Sequence, residues 1–254
     1  MNFGSNLGPS VIKLNRHPFP VEAHFDKSLV LGFAVPKAEL EALIPECLEL
    51  DLFEDRWAFI AVAMVQTRQL RPRYFPKLFG RDFTLIGYRI FVRYRNSSGR
   101  RLRGLYILGS ETDKASMQRL GRVFTQYRYD ITPIGWKSDT GTEIVTTPGG
   151  LRVEAETADE NSELPESSPF PDWSKARQFA GPMPFTFSYD PARKEVVIVE
   201  GVRSSWIPQP MEVNDWKIPF VDQLGLKDVT LANAFIVENV PYTWNRGKVE
   251  SWTG

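Results

Sequence analysis

One cysteine, Cys47, and two histidines, His17 and His24, are all that 254 residues hold of the side chains that build disulfides and Cys/His zinc centres. No internal disulfide can form, and a structural zinc site of the Cys/His kind needs four such ligands. Charge of one sign is equally absent: 31 lysines and arginines face 31 aspartates and glutamates, for a formal net charge of zero. That balance argues against the basic footprint of a nucleic-acid binder and against a polybasic membrane anchor. Neither nucleic acid nor membrane is expected as a partner. The longest apolar run, from Ala58 to Val65, falls far short of the roughly 20 residues that a membrane-spanning helix needs. The opening MNFGSNLGPSVIK has no apolar stretch behind a basic start, so no secretory leader is expected and the cytoplasm is the default compartment. Phosphate loops, dinucleotide-binding Gly motifs, H-E-x-x-H and G-x-S-x-G are all missing. Neither a cofactor nor a metal is therefore expected.

What remains is an ordinary globular composition, 42% hydrophobic and 24% charged, in a chain long enough to bury roughly 70–75% of its unfolded surface. One domain is expected over 1–254, with an N-terminal arm at 1–20, an exposed acidic loop at 158–172 (ADENSELPESSPFPD) and a tail at 240–254. Between these, the patterning predicts many strands. HFDKSLVLGFAV (24–35) ends in an apolar run, and Leu40, Leu43 and Ile44 give a short helix the spacing of an apolar stripe. The stretch from Trp57 to Gln69 reads as a strand buried on both faces, and 70–82, with two prolines and a glycine, as a loop. In 84–95, Tyr88, Ile90, Val92 and Tyr94 share one face and Arg89, Phe91, Arg93 and Arg95 the other. Asn96 to Gly99 predicts a hairpin turn. Asp113 is suited to cap a helix running to Gln126, with Met117, Leu120, Val123 and Phe124 as its buried stripe. Further strands are expected at 127–135, 142–147, 150–157, 184–190, 194–202 and 229–239. Many strands and few short helices make a mainly β chain, and a closed or nearly closed barrel buries them without long exposed edges.

Several stretches carry a resemblance. FAVPKAELEALIPECLEL (33–50) and GRVFTQYRYD (121–130) resemble segments of the acetoacetate decarboxylase superfamily. The ordered series PECLELDLFEDRWAFIAVAMVQTRQLRPR, YRIFVRY, LGSETDKASMQRLGRVF, ARQFAGPMPFTFSYD and VRSSWIPQP resembles its uncharacterised branch, domain of unknown function 2071. The resemblance spans roughly residues 22–212. It implies an acetoacetate decarboxylase-like β-barrel with a small-molecule cavity inside it or at its mouth. It does not imply the reaction, because fold and function separate readily. The decarboxylase uses a Schiff-base lysine whose pKa a second, adjacent lysine depresses. The pair would fall near 129–130, where this chain has Tyr129 and Asp130. The family's strand arginine aligns with Ala34, and its active-site glutamate has no counterpart in TLIGYRIFVR. Schiff-base decarboxylation is not expected.

The residues offer other candidates. Arg89, in the apolar centre of its strand, could bind a carboxylate in two-pronged fashion; the plainer reading of its face is outward polarity. His24 and Asp26 lie two apart, hence on one strand face, as an oriented base would; such a pair is more often surface polarity. Glu111 stands at a strand-to-helix junction near Asp113 and Lys114, where helix capping accounts for the acids. Arg122 matches the superfamily's G-R and either reaches the cavity or pairs with a carboxylate such as Glu111. Trp206, with Arg203 in RSSWIPQP, either lines the mouth or plugs the core. Catalysis, if any, would draw on His24, Asp26 or Glu111, and ligand binding on Arg89, Arg122 and Trp206. Three functions stay open: a small-molecule enzyme acting on an organic anion, a non-catalytic binder, and an assembly module with a filled barrel and an outer patch of C-terminal tryptophans. A homo-oligomer is compatible with each.

Overall fold

The computed structural model describes residues 14–159, 162–181 and 183–253. Fourteen strands run along the described chain: β1 Val21–Pro36, β2 Glu49–Leu50, β3 Trp57–Pro72, β4 Arg81–Arg95, β5 Arg101–Thr112, β6 Tyr129–Ile131, β7 Gly135–Asp139, β8 Thr142–Thr146, β9 Arg152–Thr157, β10 Phe185–Asp190, β11 Glu195–Arg203, β12 Gln209–Lys217, β13 Thr230–Trp244 and β14 Lys248–Ser251. Four helices join them: α1 Lys37–Leu40, α2 Ala115–Phe124, α3 Trp173–Ala180 and α4 Pro219–Asp222.

Seven strands close a ring. β3 pairs with β1 and β4, β4 with β5, β1 with β13, and β10 with β11, all antiparallel. β5 and β10 pair in parallel. The ring shuts where β11 meets β13 through Gly201–Trp244, Val202–Thr243 and Arg203–Tyr242. A second sheet, β12-β9-β8-β7, continues from β13. The chain is mainly β and has the expected barrel-like closure, although the ring is uneven.

Alternation along each ring strand divides its side chains between two environments. Leu29, Leu31 and Phe33 of β1, Ile60, Val62 and Met64 of β3, and Tyr88, Ile90 and Val92 of β4 belong to the main core. That core is completed by Leu40, by Val145 and Val153 of the second sheet, and by Val221 of α4. On the other face, Ala34, Phe59, Ala61 and Phe91 meet Phe170 and Ala176, Ala180 and Met183. This smaller cluster closes one end of the ring. Phe59 stacks with Phe170 at 5.2 Å between ring centroids, and Phe179 stands 5.1 Å from it. β3 reads as apolar on both faces because it serves both environments.

Several expectations change. Residues 70–72 and 81–82 of the expected loop extend β3 and β4, leaving 73–80 as the connection, with a single 3-10 turn at Lys77–Phe79. Asp113 does not cap α2: its carboxylate accepts from Thr84 N at 2.8 Å, tying β4 to the junction, and Lys114 takes the cap position without a side-chain bond. The stripe of α2 is not buried; Leu120 and Val123 are exposed. The acidic loop 158–172 is not wholly exposed, because Phe170 is buried in the closing cluster. The expected tail carries the end of β13 and all of β14, which pairs with β11. No pattern in the sequence announces β12 or α4: the bulge between Val213 and Asp215 breaks the alternation that would show β12. Of the expected arm, 1–13 lie outside the described residues. The rest is tied down, with His17 N donating to Phe124 O (2.9 Å) and Gly247 N to His17 O (2.8 Å).

Candidate functional site

All seven ring strands contribute side chains to one cavity of about 460 Å³. That lies within the roughly 300–1,000 Å³ usual for small-molecule sites. Its wall is largely apolar: Val30, Ala61, Ala63, Val65, Phe91, Leu105 and Ile107 line its middle. At the open end, α2 contributes Met117, Leu120 and Phe124, and the β3–β4 connection contributes Phe75 and Phe79.

Four arginines line the cavity: Arg71, paired with Glu22, and Arg81 lie at the ends of β3 and β4 beside their connection, and the other two face the apolar space without a protein anion. Arg89 comes from the centre of β4, and Arg203 from the end of β11, at the seam of the ring. Neither makes an ion pair or a side-chain hydrogen bond with another described residue, and neither aspartate, glutamate nor lysine is among the described residues of the lining. Arg203 instead lies over the rings of Trp206 (4.7 Å) and Tyr242 (5.6 Å), an attraction of charge to π-face. Gly87 is what lets Arg89 lie as it does: a Cβ there would stand 2.8 Å from one guanidinium nitrogen and 3.0 Å from Nε. The other arginines of this face are occupied elsewhere or exposed. Arg93 shares the fully buried Asp51 with Arg103, and Arg95 lies at the exposed strand end.

Burial lowers the pKa of Arg89, while Tyr242, Tyr129 and Tyr127 work against that shift. A guanidinium nevertheless keeps its proton in a protein, so the cavity holds positive charge with no protein anion facing it. The three tyrosines experience the reverse. Burial raises the phenol of Tyr129 to about 12 and those of Tyr127 and Tyr242 upward as well. They stay protonated at neutral pH, and none of the three hydroxyls is bonded to another described residue. Deeper in, Trp206 Nε1 and Asn233 Oδ1 are buried without a protein partner, a donor and an acceptor both at the cavity wall. The ensemble presents cationic forks and O–H donors in an apolar enclosure.

Of the candidates read from the sequence, Arg89 and Trp206 line the cavity. Arg122 does not; it is exposed on α2, without an ion pair among the described residues. His24 and Asp26 share a face, Nε2 to Oδ1 being 3.9 Å, but Asp26 also pairs with Arg68 and neither residue lines the cavity. Glu111 accepts from Tyr88 Oη at 2.8 Å, on the core side of β4. The three acid–base candidates thus do not converge with Arg89. Cys47 is a buried thiol that burial pushes up to about 11, unsuited to nucleophilic work. Among the described residues, no three His, Cys, Asp or Glu side chains group to hold a metal ion.

His17, passed over in the sequence because it lies in the N-terminal arm, is in the cavity wall, its ring 6.0 Å from that of Tyr127. Burial lowers its pKa from 6.5 to about 4, so it is neutral at pH 7. Because the unfolded chain takes up this proton near 6.5 and the folded one only near 4, folding stability is complete above pH 6.5 and falls as pH drops towards 4. A His17→Gln variant is expected to flatten that part of the stability–pH curve, measured by urea unfolding. An unchanged slope would show that His17 is not the group responsible.

The family model DUF2071, described as an uncharacterized conserved protein, matches residues 22–245. No curated protein matches the sequence. Among solved structures, an acetoacetate decarboxylase from Legionella pneumophila is similar with a TM-score of 0.60 and 14% identity, over 97% of this chain and 93% of that one. An acetoacetate decarboxylase-like enzyme from Sphingomonas wittichii RW1 gives 0.57 and 12%, over 92% and 93%. The enduracididine biosynthesis enzyme MppR, complexed with pyruvate, gives 0.56 and 13%, over 98% and 97%. At these identities the likeness is one of fold.

Proposed function

We propose that this chain, which belongs to the DUF2071 family, binds a small organic carboxylate with an apolar body inside its ring. The observation that carries the reading is the pairing of Arg89 and Arg203 in an apolar cavity whose described lining includes no acid. A buried cation without a partner is costly, and a carboxylate held by the planar guanidinium fork offsets that cost. The phenols of Tyr127, Tyr129 and Tyr242 add donors to the same anion. Trp206 Nε1 and Asn233 Oδ1 suit a second polar group on the ligand. MppR, of similar fold, is described as complexed with pyruvate, itself a carboxylate. The apolar walls of the present cavity favour a larger, less polar acid.

Schiff-base decarboxylation does not fit this reading. Tyr129 and Asp130 occupy the place where the resemblance puts the lysine pair, and no lysine is among the described lining residues. A second reading, proton transfer on the bound acid, is favoured by one observation: the neutral imidazole of His17 in the same wall.

Thermal unfolding tests the proposal. Aromatic and medium-chain carboxylates are compared with alcohols and primary amides of the same skeletons. A carboxylate at a hundred times its dissociation constant adds about 2.7 kcal/mol, or roughly 5–10 °C in a chain of this size. The alcohols are expected to add little. If no acid shifts the transition, or if alcohols shift it equally, the anion receptor is the wrong description.

A further inference from the structure

The rim of the cavity carries apolar side chains that no described part of the fold covers. In the β3–β4 connection, Tyr74 is 84% exposed, Phe75 56%, Leu78 90% and Phe79 61%. Across the mouth, Leu120 and Val123 of α2 are also exposed. Phe75, Phe79 and Leu120 belong to the cavity wall as well, so the apolar lining runs continuously outward to solvent. Exposed patches of this kind mark interaction surfaces.

Cations are interleaved with them. The stretch 67–82 holds Arg68, Arg71, Arg73, Lys77 and Arg81 against one acid, Asp82. Arg68 pairs with Asp26 and Arg71 with Glu22, whereas Arg73, Lys77 and Arg81 are exposed with no ion pair among the described residues. Arg119 and Arg122 are exposed beside Leu120 and Val123. The connection is also built to hold its shape. Arg71 donates from Nε to Phe75 O at 3.1 Å and from Nη1 to Gln69 O at 2.9 Å. Gly80 packs so closely on Gln69 that a Cβ there would lie 2.7 Å from its Cα.

We infer that this rim docks on the surface of an anionic lipid bilayer, with Leu78 and its aromatic neighbours entering the headgroup layer and the free cations meeting lipid phosphates and carboxylates. Aromatic and aliphatic side chains set among Arg and Lys are the composition of interfacial contacts. A second copy of the chain fits less well, because a two-fold contact apposes the same patch on both molecules and would set these cations against one another. The inference stands on the rim alone and not on what the cavity binds. It concerns a surface contact alone: no described helix is long and apolar enough to cross a membrane. Net charge and run length, which argue against a membrane partner, do not register a short exposed loop.

Co-sedimentation of ligand-free protein with vesicles tests it, using phosphatidylcholine alone and phosphatidylcholine with about 30% phosphatidylserine. The wild type is expected to pellet with the anionic vesicles, about tenfold less with the neutral ones, and less as salt is raised. Leu78→Glu and Lys77→Glu, both at exposed positions, are expected to lower binding about tenfold each without moving the melting temperature. The inference is overturned if the wild type ignores anionic vesicles at low salt, or if Leu78→Glu binds them as well as wild type does. It is equally overturned if light scattering shows a wild-type dimer that Leu78→Glu converts to monomer without any vesicle binding. Because no carboxylate ligand enters the assay, its failure leaves the receptor reading to its own test.

Discussion

An Arg89→Leu variant is expected to unfold at a higher temperature than the wild type when empty, and to gain nothing from any carboxylate. The two effects have one cause. In the empty cavity the Arg89 guanidinium has no protein anion to offset its desolvation. Replacing a poorly compensated buried charge by an apolar side chain of similar bulk gains on the order of 1–4 kcal/mol. The lower end applies here, because the guanidinium borders open cavity space. The ligand's stabilisation, about 2.7 kcal/mol at a hundredfold excess over its dissociation constant, should vanish together with the fork that holds it. Chemical unfolding of both proteins with and without a ligand reads both numbers. A variant that still gains stability from carboxylates, at undiminished affinity, would move the anion site away from β4.

The closed end of the ring yields the largest expected loss. Phe59 is fully buried and meets the rings of Phe91, Phe170 and Phe179. Phe59→Ala should cost about 4 kcal/mol, since a buried aromatic cut back to Ala forfeits its transfer energy and leaves a void. The loss is also local in a diagnostic way. Phe170 is the anchor of the acidic loop, so a protease should cut between residues 162 and 172 faster in the variant than its reduced global stability alone explains. Cleavage elsewhere first, with that loop intact, would mean that the aromatic cluster is not what fastens it.

The strands of the ring were legible in the sequence because their periodicity is strong. Leu29, Leu31 and Phe33, and Tyr88, Ile90 and Val92, announce a core face at every second residue. The barrel followed from the number of strands, and the family resemblance supplied the closure. The second sheet was only partly visible, since β12 slips register between Val213 and Asp215. Alternation also says which residues share a face, not what that face meets. For that reason the arginines of β4 read equally well as outward polarity, and only the ring geometry turns Arg89 inward while Asp51 takes Arg93. His17 carried no signal at all: its place in the wall depends on backbone bonds to Phe124 and Gly247, far away in sequence. Asp113 shows the converse error, a side chain with the chemistry of a cap that a nearer amide, Thr84 N, claims first. The stripe of α2 had the right period, but periodicity does not distinguish a core from the mouth of a cavity.

The short seam between β11 and β13 has a consequence for how the chain reaches this shape. Antiparallel neighbours such as β3 and β4 zip from a nearby turn, whereas the parallel join of β5 to β10 links residues 104–106 with 185–187. β1 joins β13 across a longer span still, residues 21–34 with 230–244, whereas the seam links 201–203 with 242–244 and lies closer in sequence. Long-range pairings carry a large loop-closure entropy and make for slow folding. The seam therefore sets Arg203 opposite Tyr242 within the C-terminal strands, and the two longer joins are what bring Arg89 of β4 into the same enclosure. A nascent chain has no enclosed cavity until its circumference is complete.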